Sequence, residues 1–195
     1  MCSPQKKSLP MSEITVWTKQ NIAVLDQLER SGRFITDERY IRRELGDTAE
    51  IMLFTYRWLA DHIPDSGSRP EDAVYPVWVS FIKEATMMPE PGFVILELKV
   101  DTDDVTAIDI MKWTKITNYS YLQSDAEDGR THNALLREIG TDSAKAVMTQ
   151  FYPVIRGKII DSWDRLFDPP GKPGDPGCYG LIWEVRKEWI QRILT

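Results

Sequence analysis

Four short stretches put polar or ionisable side chains where chemistry could be aimed. Trp17-Thr18-Lys19-Gln20 ends an early run of alternating β-branched and aromatic residues. A strand end is a rigid place from which Thr18 and Gln20 can face a ligand; pairing with a neighbouring strand or loop is the structural alternative. Glu97 interrupts the apolar run from Val94 to Val100, and a carboxylate on the less apolar face of a strand is usually solvated. Trp183-Glu184 lies between Leu181-Ile182 and Val185 near the far end of the chain. A carboxylate among such neighbours needs a hydrogen-bonding partner or a raised pKa, and the second condition is how catalytic acids are made. Glu184 is therefore either a catalytic carboxylate or half of a buried ion pair with an arginine. In Ser162-Trp163-Asp164 the ring is expected to pack a helix onto a sheet.

Other catalytic patterns are missing. The chain has no GxxxxGK[ST] phosphate loop, no GxGxxG after a strand and no GxSxG elbow. His62 and His132 have no second ligand at helical spacing, so both read as surface or core-edge residues rather than metal ligands. Asp101-Thr102-Asp103-Asp104 lacks the mid-loop glycine and closing glutamate of a calcium loop and reads as a solvated turn. Cys2 and Cys178 form neither a disulfide framework nor a metal motif, which suits a reduced cytoplasmic setting.

The formal charge is −6, and the basic residues are scattered. Nucleic-acid binding needs a basic stripe or patch to neutralise phosphates, so the expected partners are small molecules or proteins. No apolar run approaches the about 20 residues of a membrane helix. Lys6 and Lys7 have no apolar segment behind them, so the N-terminus is not read as a signal peptide. The expectation is a cytoplasmic chain with a disordered tail over 1–12 and one domain over 13–195. Its seven tryptophans would serve a core or a ligand pocket equally well.

These stretches need elements to hold them. Ile14–Lys19 reads as a strand and Asn21 as a helix cap; Ile22, Leu25 and Leu28 then form a helical face that Gly32 ends. Asp47 and Glu50 have capping-box spacing. Behind them Ile51, Phe54, Thr55, Trp58 and Leu59 would line one face of a helix ended by Pro64. Asp65–Asp72 is a polar loop, and Tyr75–Ile82 a strand buried on both faces. In Phe93–Asp101, Val94, Leu96, Leu98 and Val100 alternate with Glu97 and Lys99, the plainest strand pattern in the chain. Asp109–Asn118 is predicted helical, as is Thr131–Phe167 with breaks at Gly140 and near Pro153; Asp168–Gly177 is a loop. Tyr179–Val185 reads as a strand, and the residues from Trp189 as a helix or continued strand. Strands early, midway and late, out of strict alternation with helices, predict an α+β single domain. Its central sheet would be mixed or mostly antiparallel, with helices packed around it.

Taken together, VWTKQ with its helix and Gly32, Tyr56 with Trp58-Leu59, Tyr75-Pro76-Val77-Trp78 and ILELKVD form a recognisable series. Asp109 to Trp113, Ser162-Trp163 with Leu166-Phe167-Asp168, and Ile182-Trp183-Glu184-Val185 continue it. The series resembles a bacterial family catalogued as domain of unknown function three-eight-four-one, over nearly the whole chain after Met11. That resemblance implies a fold and a bacterial or phage origin, with no established activity. The order of elements is also similar to the mono-ADP-ribosyltransferase-like superfamily, an analogy of fold. It implies NAD or a related nucleotide as ligand, with Thr18 or Gln20 holding its phosphates or ribose. Rings such as Tyr56, Tyr75 and Trp78 would sandwich the nicotinamide, and Glu184 would stabilise the oxocarbenium-like ribose as nicotinamide leaves. The alternative is a non-enzymatic binding or regulatory module with an aromatic-rich pocket. Gln20, Tyr75 and Glu184 converging on one cleft would favour the enzyme; Glu184 paired to an arginine would favour the module.

Overall fold

The structure is a computed structural model that describes residues 12–64, 69–86 and 88–195. The expected tail lies outside the described residues except for Ser12, as do Cys2 and residues 65–68 of the expected polar loop. Strand β1 (Glu13–Asn21) leads into helix α1 (Ala23–Ser31), where Asn21 Oδ1 accepts from the Ala23 N–H at 3.0 Å. Gly32 ends α1 at a φ of 77°, a left-handed conformation open to glycine without steric cost. Next come β2 (Arg33–Phe34), α2 (Glu38–Leu45), α3 (Ala49–His62), β3 (Val77–Ser80), β4 (Phe93–Asp101) and β5 (Thr106–Asp109). Helices α4 (Ile110–Thr117), α5 (Ala126–Ile139), α6 (Ser143–Met148) and α7 (Pro153–Ser162) follow without an intervening strand, and β6 (Cys178–Ile182), β7 (Val185–Arg186) and β8 (Ile190–Leu194) close the chain.

The fold is α+β, built on a six-stranded sheet in the order β5-β6-β3-β1-β4-β8, and every pairing in it is antiparallel. β1 and β4 pair over nine residues, from Glu13↔Asp101 to Asn21↔Phe93. By contrast, β1 meets β3 at a single registered pair, Trp17↔Ser80. The sheet is thus two three-stranded halves joined at a seam. Alternation along the strands gives each face its own core. Val16, Val77, Val79, Val94, Leu96, Leu98 and Ile182 pack with Val24 and Leu28 of α1 and with Phe34 and Val185 of the β2–β7 ribbon. On the other face, Trp78, Ile108 and Leu181 join Trp58, Leu59, Trp113, Ile116, Ile159 and Trp163 from the helices. No helix among the described residues is long and apolar enough to cross a membrane.

Several expectations are corrected. The mixed-sheet option gives way to a wholly antiparallel one, and the chain ends in a strand. Asp47 does not cap α3; a 3-10 turn over Gly46–Thr48 precedes it, and Thr48 makes no side-chain cap bond. Glu50 instead pairs with Arg42 of α2, a helix whose ERYIRREL sequence is too charged to show an apolar stripe. The buried stripe of α3 runs through Leu53, Thr55, Trp58 and Leu59 and leaves Ile51 exposed, because Leu53 packs on Tyr75. The last predicted strand breaks at Trp183-Glu184: β6 belongs to the large sheet and β7 pairs with β2.

Gly180 in β6 allows a close approach of side chains from β3 and the loop before β5. A Cβ there would stand 2.7 Å from Val79 Cγ2 and 2.7 Å from Val105 Cγ1. Gly180→Ala should therefore cost about 1–3 kcal/mol by overpacking, read as a lower midpoint in urea unfolding.

Candidate functional site

Three of the expected residues, Thr18, Gln20 and Trp78, lie at the seam, on its two faces; Tyr56 and Tyr75 connect to Trp78 only through a relay of rings. Thr18 is 2% exposed; its Oγ1 donates to the Trp78 carbonyl at 2.7 Å and accepts from Gln20 Nε2 at 2.8 Å. A side-chain hydroxyl therefore crosses the seam one residue beyond the last registered pair of β1 and β3. Thr18 and Gln20 share the face of Val16 by alternation, whereas the Trp78 ring packs with the helical core. There it meets Trp113 at 5.4 Å; Trp113 meets Tyr56 at 5.5 Å, and Tyr56 meets Tyr75 at 6.5 Å. The Tyr75 hydroxyl donates to Glu38 Oε2 at 2.7 Å. Burial pushes the Tyr75 hydroxyl pKa up, and the Tyr75 hydrogen bond, reinforced by Arg42, holds the Glu38 carboxyl below its ordinary range.

Glu184 is 5% exposed and has found partners. Oε2 accepts from Arg33 Nη1 at 3.1 Å, and Oε1 accepts from Arg186 Nε at 2.6 Å. The other arm of the Arg33 fork takes Asp72. Glu184 thereby pins β2 to β7 from the bend between β6 and β7, and its hydrogen bond is the chief cause that raises the Arg33 pKa. Glu97 is not solvated as expected: its side chain is 13% exposed and lies 3.3 Å from Arg192 Nε.

A groove of about 610 Å³ lies away from the seam, between α1 and the start of α2. Asp26 and Arg30 of α1, Asp37, Glu38 and Tyr40 before and in α2, and Asp72 line it. It touches the expected residues at one remove, since Glu38 holds the Tyr75 hydroxyl and Asp72 shares Arg33 with Glu184. The hydrogen bond from Arg39 holds Asp37 below the usual carboxylate range. With Asp37 and Glu38 both favoured as carboxylates, that wall suits binding better than proton donation. The sequence hid this cluster because its charges come from α1, the start of α2 and Asp72, separate stretches that only the fold brings together.

Other reactive groups are occupied structurally. Burial pushes the Cys178 thiol up to about 11, so it is a poor nucleophile at neutral pH. His62 stacks on Trp58 at 4.6 Å, with Nδ1 2.8 Å from the Trp58 carbonyl. His132 is 6% exposed and stacks on Tyr121 at 4.0 Å. Among the described residues no group of three or more His, Cys, Asp or Glu could hold a metal ion.

His132 carries a pH prediction. Burial, aided by Lys158 and opposed by Asp128, holds its pKa below the ordinary value. Above about pH 6.5 both folded and unfolded chains keep it neutral. Below that, the unfolded chain takes a proton that the folded one resists, so stability falls as pH falls. The urea midpoint should drop from pH 7 to 5, and His132→Phe should flatten that slope.

A family model described as Domain of unknown function (DUF3841) matches residues 15–191. No curated protein and no solved structure matches the chain.

Proposed function

This chain belongs to the DUF3841 family, and for it we propose an ADP-ribosyltransferase-like domain that binds NAD or a related nucleotide at the seam of the sheet. The observation that carries the reading is the single pair Trp17↔Ser80 between β1 and β3, with Thr18 and Gln20 hydrogen-bonded beside it. Strands in the middle of a sheet ordinarily satisfy one another's backbone groups. A seam this short leaves a place where a ligand's amide and hydroxyl groups can pair. Thr18 and Gln20, on the Val16 face of the seam, suit ribose or phosphate oxygens. Trp78, on the opposite face and backed by Trp113, Tyr56 and Tyr75, suits a flat ring. NAD would supply the bond between ribose and nicotinamide whose cleavage develops positive charge on the ribose. Glu184, oriented by Arg33 and Arg186, is the carboxylate assigned to stabilise that charge. In this reading the protein works in the bacterial cytoplasm on a small-molecule substrate.

A second reading, a non-enzymatic binding module, is favoured by one observation. Both Glu184 oxygens are engaged by guanidinium groups, which gives the carboxylate a complete structural role. A thermal-shift titration with NAD, ADP-ribose and other nucleotides, followed by a nicotinamide-release assay on the same sample, separates the two. A native-state ligand at a hundredfold excess over its Kd stabilises by about 2.7 kcal/mol. A shift with NAD and released nicotinamide is the expected result. A shift without release transfers the chain to the binding module, and no shift with any nucleotide rejects the NAD reading outright.

A further inference from the structure

We propose that the turn between α6 and α7 is a peripheral membrane contact, whose apolar tip of Met148, Phe151 and Val154 enters the surface of an anionic phospholipid bilayer. The contact is independent of the NAD reading and lies in the helical layer rather than at the seam. Met148 is the last residue of α6, Val154 the second of α7, and Phe151 stands in the turn between them. Met148 is 58% exposed, Phe151 81% and Val154 70%. Phe151 is three residues from each of the others, so the chain keeps it within about 11 Å of both at Cα. Ala146, Val147, Ile155 and Ile159 fill the inward positions of the two helices, so the outward three are surplus to the core. Single exposed apolar residues are ordinary, whereas three on one turn mark an interaction surface.

The charges around the tip select the partner. From Ser143 to Ile160 the chain carries Lys145, Arg156 and Lys158 and no carboxylate, in a protein of net charge −6. Lys145 and Lys158 are exposed. Lys145 shares a helix face with Met148 at a spacing of three, and Lys158 shares one with Val154 at a spacing of four. Helix α6 runs into the turn and α7 runs out of it, so each lysine is set about 4–6 Å behind the tip along its own helix. The carboxylates that follow, Asp142 and Asp161, are set back about twice as far, and Asp142 caps α6 by accepting from the Lys145 N–H at 2.8 Å. Arg156 is turned inward, 5.6 Å from the centre of the Phe54 ring. Arg137 and Glu138 at the end of α5 balance, and Asp128 of that helix is taken by Tyr121, Ser124 and Arg165. An apolar tip with cations one turn behind it matches the layering of a bilayer, hydrocarbon beneath anionic phosphates. The lysine stems can follow the tip while their ammonium groups stay at phosphate level. Screening over about 8 Å at physiological ionic strength leaves these two lysines, rather than the distant net charge, to govern the contact.

The test is co-sedimentation of the full chain with vesicles of phosphatidylglycerol and phosphatidylcholine in equal parts, and with vesicles of phosphatidylcholine alone. Wild type should bind the anionic vesicles, less as salt is raised, and the neutral ones far more weakly. Phe151→Ser should weaken binding roughly tenfold, because a large apolar side chain no longer leaves water. Lys145→Gln and Lys158→Gln should each weaken it about fivefold, whereas Met111→Ser, equally exposed but on α4, should leave it unchanged. Every substituted side chain is exposed, so the variants should melt with wild type, which separates lost binding from lost fold. No binding to anionic vesicles, equal binding to both kinds, or unchanged affinity in Phe151→Ser overturns the proposal. Self-association that Phe151→Ser abolishes, without vesicle binding, assigns the tip to a second copy of the chain and overturns it as well. The assay contains no nucleotide, so its failure and the failure of the NAD reading are separate results.

Discussion

Glu184→Gln should reduce nicotinamide release from NAD to background while the domain remains folded. A glutamine is close to the same size, but it presents one acceptor oxygen and an NH₂ where the carboxylate meets Arg33 and Arg186. One of those guanidiniums would then face a donor. Both arginine side chains are more than a third exposed, at 39% and 45%, so they can rehydrate, and the cost to folding should be a moderate fall in melting temperature. Arg33 also keeps Asp72, which limits the loss of the β2–β7 ribbon. Assayed well below the melting temperature, a lost rate therefore reports chemistry and not unfolding. An unchanged rate removes Glu184 from catalysis and leaves it as the anchor between β2 and β7. Arg186→Met provides the complementary control, since it loosens the anchor and retains the carboxylate.

Trp163→Ala should be the most damaging single truncation in the helical core. The ring is completely buried and lies 5.4 Å from Trp58, 6.1 Å from Phe54 and 6.4 Å from Tyr119. Its Nε1 donates to the Ser120 carbonyl at 2.9 Å. Truncating a buried tryptophan costs about 3–5 kcal/mol through lost contacts and the cavity left behind. In a domain whose whole stability is on the order of 5–15 kcal/mol, that is a fifth or more. At about 2–4 °C per kcal/mol for this size, the melting temperature should fall by roughly 10 °C. Trp163→Phe should recover much of the loss, though the Ser120 carbonyl would remain without its donor. A truncation that shifts the midpoint by a degree or two would show that the helical core does not depend on this ring.

Short-range patterns were legible in the sequence. Strand β4 has the predicted bounds, Phe93–Asp101, because alternation is a property of consecutive residues. The Gly32 stop follows from a local backbone conformation in the same way. Asp109 caps α4 by accepting from the N–H groups of Met111 and Lys112. The early, middle and late placement of strands carried the α+β class. Helix α2 was not legible, because charged residues hide its apolar stripe, and the register of α3 depended on Tyr75 rather than on its own sequence.

The candidate site divides along the same line. Composition and local pattern determined which side chains were worth following: Thr18 and Gln20 at a strand end, Glu184 among apolar neighbours, and aromatic residues in unusual number. Only the tertiary structure decided what each of them meets. Thr18 reaches a carbonyl 60 residues away, and Glu184 takes an arginine 151 residues earlier in the chain. The seam itself comes from β1 pairing along nine residues with β4 and at one with β3, and no local pattern encodes that difference. Strand partners are chosen by register and packing across the whole sheet. A sequence can therefore specify a strand and its two faces, while the assembled fold determines which strands stop short of one another.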